Sequence, residues 1–335
     1  MQTETAQPYL QVFESHELSN EEYHAETDHI SGSSLHELLI RSPAGWRFKK
    51  DKEAKEKAKE STGAKQKPLT FGTTGHTCML EPDRFDLEYY RMPDPDDYPD
   101  ALTSVAAVTK WLKDKGIAGY SGKKMPELYP LVDMTGEDVM IWQRLWEHHQ
   151  GIAGDREQVP AKDFDRVLMM RDVLLQNQDF HRIITEGTPE LSIFAEIDGV
   201  KVKVRLDRIT ADREIIDYKT TQSAEPEKFG RLAFDNGYYL KMALQHDVFS
   251  IAYGAPKAVT LLAQEKEEPF LAEAFELTEE QLLLGRMMYR TALQIYKACR
   301  DANKWPSYSR GQRRIKLPTP GYIQARYPEY FKAEK

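Results

Sequence analysis

Residues 190–219 read Glu190-Leu-Ser-Ile-Phe-Ala-Glu-Ile-Asp-Gly-Val-Lys-Val-Lys-Val-Arg-Leu-Asp207-Arg-Ile-Thr-Ala-Asp-Arg-Glu-Ile-Ile-Asp217-Tyr-Lys219, and no other stretch constrains the fold as strongly. Val200, Val202, Val204 and Leu206 alternate with Lys201, Lys203, Arg205 and Asp207, the period of a strand with one apolar face. Asp198-Gly199 separates this run from the apolar stretch 191–197 and predicts a tight hairpin. A second turn near Ala211-Asp212 leads into Glu214-Ile-Ile-Asp-Tyr-Lys, a short buried strand. Asp217 and Lys219 are two apart and share one face of that strand, while Tyr218 takes the other. Two carboxylates at the ends of adjacent strands, with a lysine beside one, suit phosphodiester hydrolysis. The carboxylates hold hard cations through oxygen. The lysine orients water and offsets charge on phosphoryl oxygens. A lone Asp-x-Lys at a strand end also arises by chance, so the weight falls on the ordered series.

That series is Glu190, then Asp207 after the hairpin, then Asp217-Tyr-Lys219-Thr-Thr. It resembles the PD-(D/E)xK nuclease core, and the Asp-Tyr-Lys-Thr-Thr form is similar to its RecB/RecE-type branch. Upstream, Gly72, Leu80 and Pro82 predict a short helix beginning near Thr73, and His76 among small residues reads by itself as a packed core histidine. The order Gly-x-x-x-His ahead of Glu…Asp…Asp-x-Lys is, however, that of RecB- and RecE-type nucleases, in which the histidine is a metal ligand. The resemblance therefore implies that His76, Asp207 and Asp217 hold Mg²⁺ or Mn²⁺, with the Tyr218 carbonyl as an extra ligand. It gives Lys219 the nucleophilic water and Glu190 an outer or assisting role. An imidazole ligand suits Mn²⁺ better than Mg²⁺.

Residues 1–28 are polar and acidic and predict a mobile tail. Ile30-Ser31-Gly-Ser33-Ser34-Leu35 then opens a helix that Ser42-Pro43 stops. The serines are good caps, and with Arg41 and Arg47 they also form a phosphate site at a helix start. A similar stretch opens RecE- and λ-type exonucleases, which implies contact with a 5′-phosphate or the DNA backbone. Residues 49–68 alternate Lys and Glu and read as a solvated loop or helix, or as a flap touching DNA.

Residues 92–100 are a proline-rich acidic loop. Residues 105–132 predict two short helices around the basic turn Ser121-Gly-Lys-Lys124. That pattern resembles a SAP-type DNA-binding motif, although Pro126 and Pro130 sit where its second helix should run; a helical insertion without a DNA role fits equally. Apolar spacing predicts further helices over Thr135–Gln150 and, as one long element, Pro160–Ile184. The helix after Gly237 carries Lys241 and Gln245, four apart on one face. The resembled family shows Tyr-x-x-Gln here, and this chain departs from it, so either Lys241 or Gln245 could reach the scissile phosphate. Ala258–Ala263 predicts a strand, and Thr278-Glu-Glu-Gln281 a capping box before a long helix. The tail beyond contains Arg310, Arg313 and Arg314 with no regular period.

A net charge of −8 over 335 residues argues against wholesale coating of nucleic acid but leaves room for a local basic groove. Two cysteines, Cys78 and Cys299, exclude a four-thiolate cluster and fit the cytosol. With no membrane-length apolar run and no signal-peptide pattern, the expected location is the cytoplasm of a bacterial or phage-infected cell. The expected fold is α/β, a central mixed sheet flanked by helices, spanning residues 29–310 with a helical insertion near 100–155 and a tail over 311–335. The resemblance implies an exodeoxyribonuclease VIII (RecE)-type enzyme. Such an enzyme degrades linear duplex DNA from 5′ ends as a homo-oligomeric ring and leaves 3′ strands for an annealing partner. Two alternatives stand beside it: a single-strand-specific or endonucleolytic RecB-like enzyme, and a silent DNA-end-binding scaffold.

Overall fold

The computed structural model describes residues 9–60, 71–309, 312 and 314–331. The chain enters as β1 (Leu10–Phe13) and α1 (Asn20–Ala25), then β2 (Ile30–Ser31), α2 (Gly32–Ile40) and α3 (Pro43–Glu60). Next come α4 (Phe71–Leu80), α5 (Pro82–Glu88) and β3 (Tyr89–Arg91), followed by α6 (Val105–Asp114), α7 (Met125–Asp133) and α8 (Trp142–Ala153). The strand β4 (Glu157–Val159) pairs with β3 in a small parallel sheet and precedes α9 (Ala161–Gln176) and α10 (Gln178–Thr185). The central strands β5 (Thr188–Ile197), β6 (Val200–Ile209) and β7 (Ile215–Thr221) lead to α11 (Pro226–Asp235), α12 (Tyr238–Tyr253), β8 (Val259–Glu265) and β9 (Ala272–Glu276). The long α13 (Glu279–Ala302) and the short α14 (Gly321–Arg326) finish the described chain. No helix among the described residues is long and apolar enough to cross a membrane.

The main sheet runs β1-β5-β6-β7-β8-β9, with β2 against β6, and mixes parallel with antiparallel pairs as expected. The hairpin forms at Asp198-Gly199, both with positive φ (52° and 76°), the conformation that this turn chemistry favours. Along β6 the predicted alternation holds: Val200, Val202, Val204 and Leu206 join Ile193, Ile215 and Leu261 in a core closed by Leu35 of α2, Leu244 of α12 and Leu293 of α13. Each such fully buried side chain contributes about 1.5–3 kcal/mol. The other sheet face carries Ile216, Tyr218 and Leu262 against Met79 of α4, Met170 of α9 and Ile184 of α10. The insertion has its own small core of Val108, Leu112, Leu128, Val132 and Ile141.

Several expectations need correction. Residues 10–25 are not a tail: β1 pairs with β5 from Leu10↔Ala195 to Phe13↔Ser192, and α1 buries Tyr23. Pro160–Ile184 is two helices, because the Asn177 side chain accepts the N–H groups of Asp179 (2.9 Å) and Phe180 (3.3 Å) and caps a new start. The two short helices expected over 105–132 do form, with Pro126 in the first turn of α7, where its missing N–H costs nothing, and Pro130 inside the same helix. The third begins at Trp142 rather than Thr135. The strand β9 has no counterpart in the sequence reading. Within the terminal segment α14 is helical, whereas Arg310, Arg313 and residues 61–68 lie outside the described residues.

A gap in the sheet positions the candidate site. On one edge of β6, β2 pairs only at Val202 and Lys203, and β7 only at Arg208 and Ile209. Between these contacts the edge of β6 faces no strand, and Asp207 stands at the mouth of that gap.

Candidate active site

Asp207 takes the place of the missing strand neighbour. Its Oδ2 accepts the Tyr218 backbone N–H at 2.8 Å, which ties β6 to β7 where their ladder has ended. The same oxygen lies 2.8 Å from His76 Nε2 and 3.6 Å from Lys219 Nζ. Lys219 and Asp217 share a face of β7, as the spacing requires, and their charged ends are in direct contact. Lys219 also donates to the Tyr218 carbonyl at 3.0 Å, so that carbonyl faces the site. The Tyr218 ring points away and donates its hydroxyl to Gln264 Oε1 at 2.8 Å in the opposite core.

Glu190 reaches the cluster through a backbone distortion. Its φ of 52° lies in the left-handed region, rare for a residue with a side chain, and costs on the order of 1 kcal/mol. Its carboxylate sets Oε1 3.3 Å from His76 Nδ1 and Oε2 2.6 Å from Arg205 Nε. Arg205 also donates to the Leu18 carbonyl at 3.3 Å and stands over the Tyr23 ring. The segment expected as a tail therefore braces Arg205, which in turn braces Glu190. Sequence reasoning missed Arg205, although a signal was present: it lies two residues from Asp207 on the same polar face of β6.

The electrostatics set two carboxylates apart. Burial works to raise the Asp207 carboxyl, but the charges of His76 and Lys219 and its hydrogen bonds hold it below the ordinary value. For Asp217, burial and then the Asp207 charge raise the carboxyl, and Lys219 offsets this only in part. Burial opposes charge on Lys219 too, yet Asp217 and Asp207 together raise its ammonium above the usual lysine value. Burial also opposes charge on His76, and the Asp207 and Glu190 carboxylates outweigh it, pushing the ring up to about 10. The field at the imidazole is thus strongly negative. One ligand atom each from His76, Glu190 and Asp207 lies within 4.8 Å of the other two. An oxygen-rich set with one imidazole in such a field fits a divalent cation such as Mg²⁺ or Mn²⁺. The structure groups Glu190 with His76 and Asp207, and Asp217 with Lys219.

Lys241 and Gln245 lie in different surroundings. Gln245 is buried and donates Nε2 to the Arg205 carbonyl at 3.3 Å, so it braces β6. Lys241 points toward the Lys219 side of the gap, with both ammonium groups near the Tyr238 ring (5.0 Å from Lys241, 5.7 Å from Lys219). Burial lowers the Lys241 ammonium from its ordinary value, Asp217 pulls it back, and no carboxylate among the described residues is within ion-pair distance. The start of α12 packs tightly on α2: Gly237 has φ 68°, and a Cβ there would lie 2.3 Å from the His36 ring.

The expected phosphate site does not converge. Ser31 rather than Ser33 or Ser34 caps α2, its Oγ accepting from Ser34 N–H at 3.4 Å. Ser33 is exposed, while the Ser34 carbonyl and Oγ take the Trp46 indole N–H at 3.1 and 3.3 Å. Arg41 follows the far end of α2 and pairs with Glu37 at 3.2 Å, and Arg47 pairs with Asp51 at 2.9 Å. At 1.5 Å per residue, Ser33 and Arg41 are roughly 12 Å apart along the helix.

The family profile described as a PDDEXK-like domain of unknown function (DUF3799) matches residues 39–317. No curated protein matches the chain. A solved structure from Eubacterium rectale, named as a candidate exonuclease, aligns over 72% of this chain and 96% of its own, at 11% identity and a TM-score of 0.39. The crystal structure of SSO0001 aligns over 59% of this chain and 77% of its own, at 12% identity and a TM-score of 0.24. The profile spans the strands from β5 to β9 and every residue of the gap cluster, and the chain belongs to this PDDEXK-like family, within the PD-(D/E)xK nuclease superfamily.

Proposed function

We propose that the protein is a metal-dependent exodeoxyribonuclease that degrades linear double-stranded DNA from 5′ ends in the cytoplasm and leaves 3′ single strands for annealing. The observation that carries this reading is the Lys219 ammonium set between Asp207 and Asp217 in the strand gap, beside a cation-binding set of His76 and Glu190. His76, Glu190 and Asp207 would hold Mg²⁺ or Mn²⁺, with Asp217 and the Tyr218 carbonyl alongside. A divalent ion there supplies Lewis-acid charge to a phosphoryl group. Lys219 stays an ammonium at neutral pH, so it can donate to a phosphoryl oxygen and orient a water for attack. Arg205 keeps the Glu190 carboxylate aimed at His76, and Lys241 offers a second cation to the charge that develops on the phosphate.

The test is a linear duplex labelled at one 5′ or 3′ end, incubated with purified protein and Mg²⁺ or with chelator. Loss of the 5′ label as mononucleotide, only with metal, is expected. Cleavage in chelator would remove the metal from the account, internal fragments would replace this reading with an endonucleolytic one, and end binding without cleavage would leave a scaffold. Processive digestion also needs a means of retention. Electrostatic grip is lost in salt, and with a net charge of −8 we propose that a closed homo-oligomeric ring retains the duplex. Light scattering should find an oligomer at working concentration, and a monomer throughout would reject the ring.

A further inference from the structure

A cavity of about 410 Å³ that the proposed reaction does not use is lined by residues of α4, α5, α9, α10, β5 and β6. Its wall borders the cluster in the chain: Leu80 lies one helical turn past His76, Pro189 precedes Glu190, and Arg208 follows Asp207. Three arginines, Arg84, Arg171 and Arg208, share this wall with two carboxylates, Glu81 and Asp83. Arg84 is already paired, with Glu81 at 2.8 Å and Glu88 at 2.5 Å.

The other two arginines are not. Arg208 is only 4% exposed; it donates Nη2 to the Leu80 carbonyl at 2.7 Å and Nη1 to the Glu186 carbonyl at 3.2 Å, while its Nε has no hydrogen-bond partner. The Arg171 Nε is likewise buried without a partner. Among the described residues, neither guanidinium has a carboxylate within ion-pair distance, although the Glu81 and Glu190 charges act on Arg208 from farther off and Arg171 is half-buried. Neutral carbonyls compensate a buried cation poorly, and a buried charge left without a counter-ion is costly. An anion between the two would supply the missing half and could take paired guanidinium hydrogen bonds. The volume is far above that of a simple ion and falls in the range of small-ligand pockets, roughly 300–1,000 Å³. Pro82, Ile184 and Pro189 add apolar wall against which a ring could lie.

We propose that this cavity is a subsite for the phosphate of a nucleoside 5′-monophosphate, the kind of product that exonucleolytic cleavage releases; in that identification of the ligand it rests on the proposed function. The site would hold the released nucleotide after cleavage, with Arg171 and Arg208 on the phosphate.

The test is calorimetric titration of the full chain with thymidine 5′-monophosphate in chelator, so that no cleavage takes place. Saturable binding is expected, weakened about tenfold or more in Arg171→Gln, with thymidine itself not binding. Arg171 lies outside the catalytic cluster, so this variant reads the cavity alone. Its melting temperature checks the fold, and Arg208→Lys, which keeps the charge but loses the guanidinium geometry, should weaken binding as a second variant. No saturable heat with the nucleotide, equal affinity in parent and Arg171→Gln, or thymidine binding as tightly would each overturn the proposal. So would binding of a 5′-phosphorylated oligothymidine without binding of the mononucleotide. A protein that binds the nucleotide but never cuts DNA would sink the nuclease reading and leave the subsite in place.

Discussion

Two partly buried polar clusters lie along the same helix, α12, and they are built on opposite principles. Near its C-terminal half, Asp247 receives Arg286 Nε and Nη2 at 2.7 Å each, the Tyr289 hydroxyl and His246 Nδ1 at 2.8 Å. Every charge there meets its opposite, and although burial acts to raise the carboxyl, these partners hold it far below the usual range. Near the N-terminal half, the gap cluster leaves charge unbalanced. Asp217 is raised, and among the described residues Lys241 has no carboxylate within ion-pair distance and buried Arg205 Nη1 and Gln245 Oε1 have no hydrogen-bond partner. A closed network stabilises a fold, whereas an open one keeps its fields available to a cation and a phosphate.

The largest test of this contrast is Lys219→Ala. Cleavage should fall by about 10²–10³, roughly 3–4 kcal/mol, while melting temperature in Mg²⁺ and DNA-end affinity change little. A variant that cuts like the parent would move the gap cluster into the structural class. Asp217→Ala should cost at least as much activity because it removes a carboxylate beside the cation set.

The complementary change is Asp247→Ala, which should destabilise the fold by about 3 kcal/mol and leave cleavage per folded molecule unchanged. Because the Asp247 carboxyl is depressed in the folded state, its contribution is complete above the unfolded value of about 3.9. It fades as pH falls below that. Urea midpoints of parent and variant should therefore differ at pH 7 and converge in acid; a gap that widens on acidification would contradict the assignment.

Smaller effects separate Lys241 from Gln245. Lys241→Ala should lower cleavage about tenfold with little loss of stability, as expected for one charge-assisted contact. Gln245→Ala should instead lower stability by about 1 kcal/mol through its bond to β6, and activity only in proportion. The reverse pattern, in single-turnover kinetics and melting curves, would exchange their roles.

Much of the centre of this protein could be read locally. Alternation in 200–207, the Asp198-Gly199 turn and the two-residue spacing of Asp217 and Lys219 fix which side chains share a face, because strand geometry leaves no other choice. His76 needed the resemblance as well, since one histidine in a small-residue helix has no local signal. Residues 10–25 misled for a physical reason: an edge strand pairs through its backbone, and its side chains need carry no strong pattern. Asn177 misled because a cap and a mid-helix asparagine look alike until the chain bends.

The sequence by itself determined the hairpin, its register, the order of the acidic residues and the lysine that follows them, all consequences of period and turn chemistry. Only the tertiary structure decided the gap between β2 and β7, the left-handed Glu190, the bracing by Arg205, the separation of Ser33 from Arg41, and the arginine-lined cavity beside the site. Each of these depends on where distant elements come to rest against one another, and that is set by packing of the two sheet faces rather than by any local preference.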